Sequence, residues 1–225
     1  MKIIKQLLIG AIVGFIIAIS ALNFSTIDFS HYAKPAVICL FSLNVILLGW
    51  SLLLCKQIKQ LHNTELTGEE EDAAGELKYK KFSDYSLFAQ SSTVLSFLAL
   101  SFTLVCKMDI VLVILAIILL IVGYAFTAYM IQLMKFVYPD REIPPLSDTQ
   151  FSEKLLEISD EGEKHIIMHG LYKSYNLLSI ALTVAIAAAV IYSMLSQNSQ
   201  LFSIIAMCIV LLLVHGKYIL TIRDK

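Results

Sequence analysis

Glu161, His165 and His169 are the residues of this chain best suited to chemistry by type and spacing. Steps of four place all three on one helical face, where a carboxylate and two imidazoles supply three of the four ligands that zinc takes. A fourth ligand would have to come from elsewhere, and no Glu follows the first His as it does in HExxH. The default reading is a pair of histidines at a membrane interface. A second set is polar and uncharged: Asn44, Gln90, Ser91, Thr127 and Gln132 fall within otherwise apolar stretches. They read either as hydrogen bonds between helices or as the lining of a substrate path, which requires them to face one cavity. No Asp, Glu, Lys or Arg lies well inside those stretches, although ion-coupled transport usually needs such charge. Glycine-rich phosphate loops, a nucleophile elbow and a Cys-His-Asp set are absent from the sequence, so no cofactor is expected.

The elements that must position these residues are membrane helices. Of 225 residues 58% are hydrophobic and only 16% charged, with a mean hydropathy of +0.77, a composition far from that of ordinary soluble domains. Six apolar runs at 7–22, 35–55, 86–106, 110–134, 177–195 and 201–216 have about the length that crosses a bilayer. The expected fold is therefore all-α, a bundle of about six membrane helices with two cytoplasmic amphipathic helical segments, forming a single membrane domain over 1–225. Pro35 suits a first helical turn. Cytoplasmic segments near the membrane retain Lys and Arg. With the N-terminus inside, every one of the 17 Lys and Arg except Lys34 and Lys107 falls on the cytoplasmic side. This predicts cytoplasmic N- and C-termini. Lys2 and Lys5 before the first run, with Ala18-Ile19-Ser20 resembling a small-residue cleavage site near its end, also fit a secretory signal; a retained span is the preferred reading.

Gly10, Gly14 and Ala18 form a small-xxx-small ladder, a candidate helix-packing face and the basis for expecting a homo-oligomer. Cys39, Cys55, Cys106 and Cys208 lack metal or disulfide-framework spacing. Cys39 and Cys106 near the outer face leave a disulfide open, and small apolar packing residues are the default.

Two long cytoplasmic loops, 56–85 and 135–176, hold nearly all the mass outside the bilayer. Acids outnumber bases in both, which disfavours nucleic acid and leaves the bilayer and a membrane or cytoplasmic protein, met through 147–175, as expected partners. Pro139, Pro144 and Pro145 end the helix emerging from the fourth span, and Ser147 with Gln150 offers a capping-box start. Phe151, Leu155, Ile158, Gly162, Ile166 and Tyr172 recur at helical spacing as an apolar stripe. That helix either lies on the membrane or runs straight into the fifth span. The segment 82–88, Phe-Ser-Asp-Tyr-Ser-Leu-Phe, echoes 172–178, Tyr-Lys-Ser-Tyr-Asn-Leu-Leu, each just before a span that starts inside. This suggests an internal repeat.

Tyr138-Pro139-Asp140-Arg141, then Ser159-Asp160-Glu161-Gly162-Glu163-Lys164-His165-Ile166-Ile167 and Tyr172-Lys173-Ser174-Tyr175, resemble an uncharacterised family of Gram-positive bacterial membrane proteins, a domain of unknown function. The resemblance implies a bacterial plasma membrane and supplies no activity. The leading expectation is a non-enzymatic accessory, regulatory or immunity-type protein acting through its cytoplasmic loops. A small permease comes second and a metal-dependent membrane enzyme third.

Overall fold

The computed structural model describes residues 29–64, 68–139, 141–145, 148, 150–196 and 199–223. The candidate ladder Gly10, Gly14, Ala18 and the expected span 7–22 lie outside the described residues. Among the described residues there are six helices and no strand: α1 Phe29–Asn63, α2 Glu69–Val105, α3 Ile110–Val137, α4 Phe151–Glu157, α5 Glu161–Ser196 and α6 Leu201–Arg223. Five of them, all but α4, are long and apolar enough to cross a membrane. The chain divides into two compact units, one holding α1 to α4 and the other α5 and α6.

Within the first unit α2 packs along both α1 and α3. Its buried residues are Phe82, Tyr85, Ala89, Ser92, Ser96, Ala99 and Thr103, alternating steps of three and four. The same alternation runs through Phe41, Asn44, Leu48 and Ser51 of α1 and Ala116, Leu119 and Gly123 of α3. Such a period of 3.5 keeps one seam of each helix facing its neighbours. Lipid offers no hydrophobic drive for helices to associate, so small side chains that permit close van der Waals approach carry the packing. At Gly123 a Cβ would stand 3.0 Å from Thr93 Oγ1 and 3.2 Å from its Cα. Only glycine allows α3 to come this near.

Two apolar clusters close the ends of the unit. Leu54, Ile58, Phe82, Tyr85, Ala89, Leu133 and Val137 pack near the α1–α2 connection, and Val37, Phe41, Leu48, Ala99, Ala116 and Leu119 pack towards the α2–α3 turn. That turn is tight. Lys107 has φ 49°, and the N–H groups of Lys107 and Met108 donate to the carbonyls of Leu104 (3.2 Å) and Thr103 (3.0 Å). This is the bonding of a helix C-cap usually completed by glycine, which has no Cβ to strain in the left-handed region.

The segments expected as cytoplasmic connections are largely helical. The segment 56–85 is mostly helix, because α1 continues to Asn63 and α2 begins at Glu69; acids in a first turn favour the helix dipole there. Gly68, with φ 67°, leads into α2. Pro35 lies within α1, six residues after its start, where its ring forfeits one backbone hydrogen bond. The segment 135–176 holds the end of α3, all of α4 and the first half of α5.

The apolar stripe from Phe151 to Tyr172 belongs to two helices and not one. α4 ends at Glu157, and α5 restarts at Glu161 behind a cap in which Asp160 Oδ1 accepts the Glu163 N–H at 2.7 Å and Glu163 Oε2 accepts the Asp160 N–H at 3.3 Å. An apolar period cannot reveal a break that a local carboxylate acceptor makes. Upstream, Asp148 Oδ1 accepts the Gln150 N–H at 2.9 Å and Oδ2 pairs with Lys154 Nζ at 2.5 Å. The Lys154 ammonium, with that N–H, holds the Asp148 carboxyl below the usual carboxylate range. Ser147, expected to cap this helix, lies outside the described residues.

Candidate functional site

The buried faces of α1 and α2 are largely apolar; Ser51 and Thr103 bond back to their own helices, and a polar cluster sits between them. There the fully buried Asn44 receives two hydroxyls on its Oδ1, from Ser92 at 2.8 Å and Ser96 at 2.9 Å, while its Nδ2 donates to the Leu40 carbonyl at 3.0 Å. Across the α2–α3 seam Thr93 and Thr127 bring their hydroxyls within 3.2 Å, and each also donates to the carbonyl four residues back. Among the described residues no buried side-chain nitrogen or oxygen lacks a partner. Polar clusters whose every buried atom has a partner on these helices fasten the helices together.

This arrangement disperses the expected polar path. Asn44 is in one seam and Thr127 in another; Gln90 is exposed, Ser91 is partly buried, and exposed Gln132 lines a groove on the outside of α3. The helix-fastening role belongs instead to Ser92 and Ser96. Their spacing of four, continued by Ala89, Ala99 and Thr103 on the same face, is the signal that marks them in the sequence.

Where α1 ends and α2 begins, the unit gathers cations and rings. Lys59 Nζ sits 5.3 Å from the Tyr129 ring centroid and 5.7 Å from that of Phe136, whose ring meets His62 edge-on at 5.3 Å. Arg141 lies 4.4 Å from the Tyr138 ring, which also meets Tyr79 at 6.5 Å. Lys81 Nζ donates to Gln57 Oε1 at 2.7 Å. Amphipathic rings with cations of this sort mark the headgroup level of a bilayer. Just inside this layer the Tyr85 hydroxyl donates to the Phe126 carbonyl at 2.8 Å, tying α2 to α3.

In the second unit Tyr175 of α5 hydrogen-bonds His215 Nδ1 of α6 and stacks on Tyr218 at 4.8 Å. Glu161, His165 and His169 occupy the exposed first turns of α5. The two imidazoles stack with centroids 6.2 Å apart and planes 6° from parallel, and among the described residues no group of three or more His, Cys, Asp or Glu is placed to hold a metal ion. The four cysteines are free thiols, Cys39 exposed and the others partly buried.

No curated protein and no solved structure matches the chain. A family described as "Protein of unknown function (DUF3169)" matches it over residues 1–221, nearly its whole length. The chain is thus a member of the DUF3169 family.

Proposed function

We propose that this chain is a non-enzymatic accessory, regulatory or immunity-type protein of the bacterial cell membrane, multi-pass with both termini in the cytoplasm, which presents rigid helical extensions to a protein partner. The observation that carries this reading is the continuity of α2 and α5. Each is one helix, of 37 and 36 residues, about 55 Å at 1.5 Å per residue, against roughly 30 Å of hydrocarbon. Each opens with an acidic, solvent-compatible stretch and ends in an apolar one. A contact made on the polar part is therefore mechanically joined to the span. The distribution of Lys and Arg supports the orientation. The permease reading gains no such support, since Asn44 and Thr127 serve separate helix contacts and Gln90 and Gln132 are exposed on different helices.

Site-specific photocrosslinkers in living cells test the proposal at Leu77 and Tyr79 of α2 and at Met168 and Leu171 of α5, all exposed. The same protein captured from both extensions, and not from Val94 in the apolar part of α2, is the expected result. Capture of lipid alone at every position would overturn it. For orientation, with the four native cysteines replaced by serine, a membrane-impermeant maleimide should label Lys107→Cys from outside intact cells and fail to label Gly68→Cys.

A further inference from the structure

α3 carries a second face besides its buried one. Ala125, Ala128, Gln132 and Lys135 succeed one another by three, four and three residues, so they form one stripe, and all four are exposed within the first unit. The chain beyond α3 folds back over this stripe, and Ile143, Pro144 and Pro145 form the opposite wall of a groove of about 520 Å³. That size is within the range of small-molecule sites.

The chemistry of the groove changes along its length. Two alanines hollow out the stretch nearer the middle of the apolar helix, Gln132 follows, and Lys135 stands in the last turn of α3. Pro144 and Pro145 contribute rings and carbonyl oxygens but no backbone N–H, so this part of the wall places no hydrogen-bond donor against an apolar guest. α3 has 28 residues, about 42 Å, so its end reaches past the hydrocarbon into the headgroup layer. Tyr129, on the rim, marks that level, with Lys59 near its ring.

We propose that this groove binds one anionic phospholipid, with an acyl chain along Ala125 and Ala128 and the phosphodiester at Lys135. An apolar slot ending in a single cation at headgroup depth complements an amphiphile whose charge is negative and whose tail lies deeper in the membrane. This rests on the membrane placement of α3 and not on the partner-docking reading, so either can fail alone.

Native mass spectrometry of the full-length protein in mild detergent, titrated with phosphatidylglycerol or phosphatidylcholine, tests it. The expected result is one phosphatidylglycerol bound per chain in preference to phosphatidylcholine. Lys135→Gln should weaken that binding about fivefold, the effect of one interfacial cation, while Lys56→Gln, which removes an exposed lysine outside the groove, should leave it unchanged. Ala128→Trp should fill the slot and abolish the bound lipid; should that variant misfold, the two lysine variants decide. Equal retention of both lipids, or equal losses in Lys135→Gln and Lys56→Gln, would overturn the proposal. So would undiminished binding in a folded Ala128→Trp variant, including one in which the groove turns out to hold a second copy of the chain.

Discussion

Ser92 and Ser96 each supply one hydroxyl to the same oxygen of Asn44. Replacing one serine by alanine leaves the other bond in place and should cost well under 1 kcal/mol, because hydrogen bonds between membrane helices average about 0.6 kcal/mol. Asn44→Leu removes the shared acceptor and strands two buried donors, so it should cost more than the two serine substitutions added together, about 1–3 kcal/mol. Unfolding of the three single variants and the double serine variant in detergent checks this non-additivity. Asn44 was legible from sequence as a polar residue amid apolar ones, but its partners were not, since nothing local says which turn of another helix will meet it. Asp148 makes a prediction in pH. Its folded carboxyl titrates below the unfolded one, chiefly through Lys154. The contact therefore stabilises the start of α4 fully above the ordinary carboxylate range and ceases to do so as pH falls through the folded value. Amide exchange across α4 should quicken over that acid interval in the native chain and show no such step in Asp148→Asn.

Among the elements, the α2–α3 pair depends most on a single position. A methyl at Gly123 would press on the Thr93 backbone, which cannot rotate out of the way as a side-chain end can. Gly123→Ala should separate the helices, lengthen the Thr93–Thr127 contact and cost about 1–3 kcal/mol; Gly49→Ala, with open space around it, serves as the neutral comparison in thermal unfolding. Element type was easy to read here because hydrophobic runs of this length admit only helix in lipid. Element ends were not. Composition changes where the bilayer ends, whereas the backbone continues, so the helical parts of the two connections are continuous with α2 and α5. Conversely, the break between α4 and α5 depends on Asp160 and Glu163, whose capping pattern was present in the sequence but lay inside a stripe that continued through it.

Across the whole molecule, the echo between 82–88 and 172–178 extends to architecture. Tyr85 and Tyr175 stand 90 residues apart. Shifted by that distance, the start of α2 falls within two residues of that of α5, and Val105 and Ile110 fall within one residue of Ser196 and Leu201. Both tyrosines also bond to the helix that follows, one to the Phe126 carbonyl and the other to His215. The two helix pairs thus share the spacing of their helix ends and a tyrosine bond to the following helix, with a backbone acceptor in one and an imidazole in the other. Tyr85→Phe and Tyr175→Phe should each destabilise their own pair by about 1 kcal/mol, and proteolysis should show the first loosening α2–α3 and the second α5–α6. Sequence disclosed the seven-residue echo because interface residues are distinctive; the remainder of each pair is generic apolar helix in which similarity of layout leaves no letters to match.

Asn44 also has a consequence for how α1 and α2 find each other. A seam of alanine, serine and branched aliphatic residues looks nearly alike one turn up or down, and surrounding lipid penalises neither placement. Slipping α2 by one turn, about 5.4 Å, would pull both serine hydroxyls from the amide oxygen and set that oxygen against alkyl groups. A single amide thus acts as a registration mark, selecting one alignment among several of similar packing quality, much as one buried asparagine fixes the register of a coiled coil.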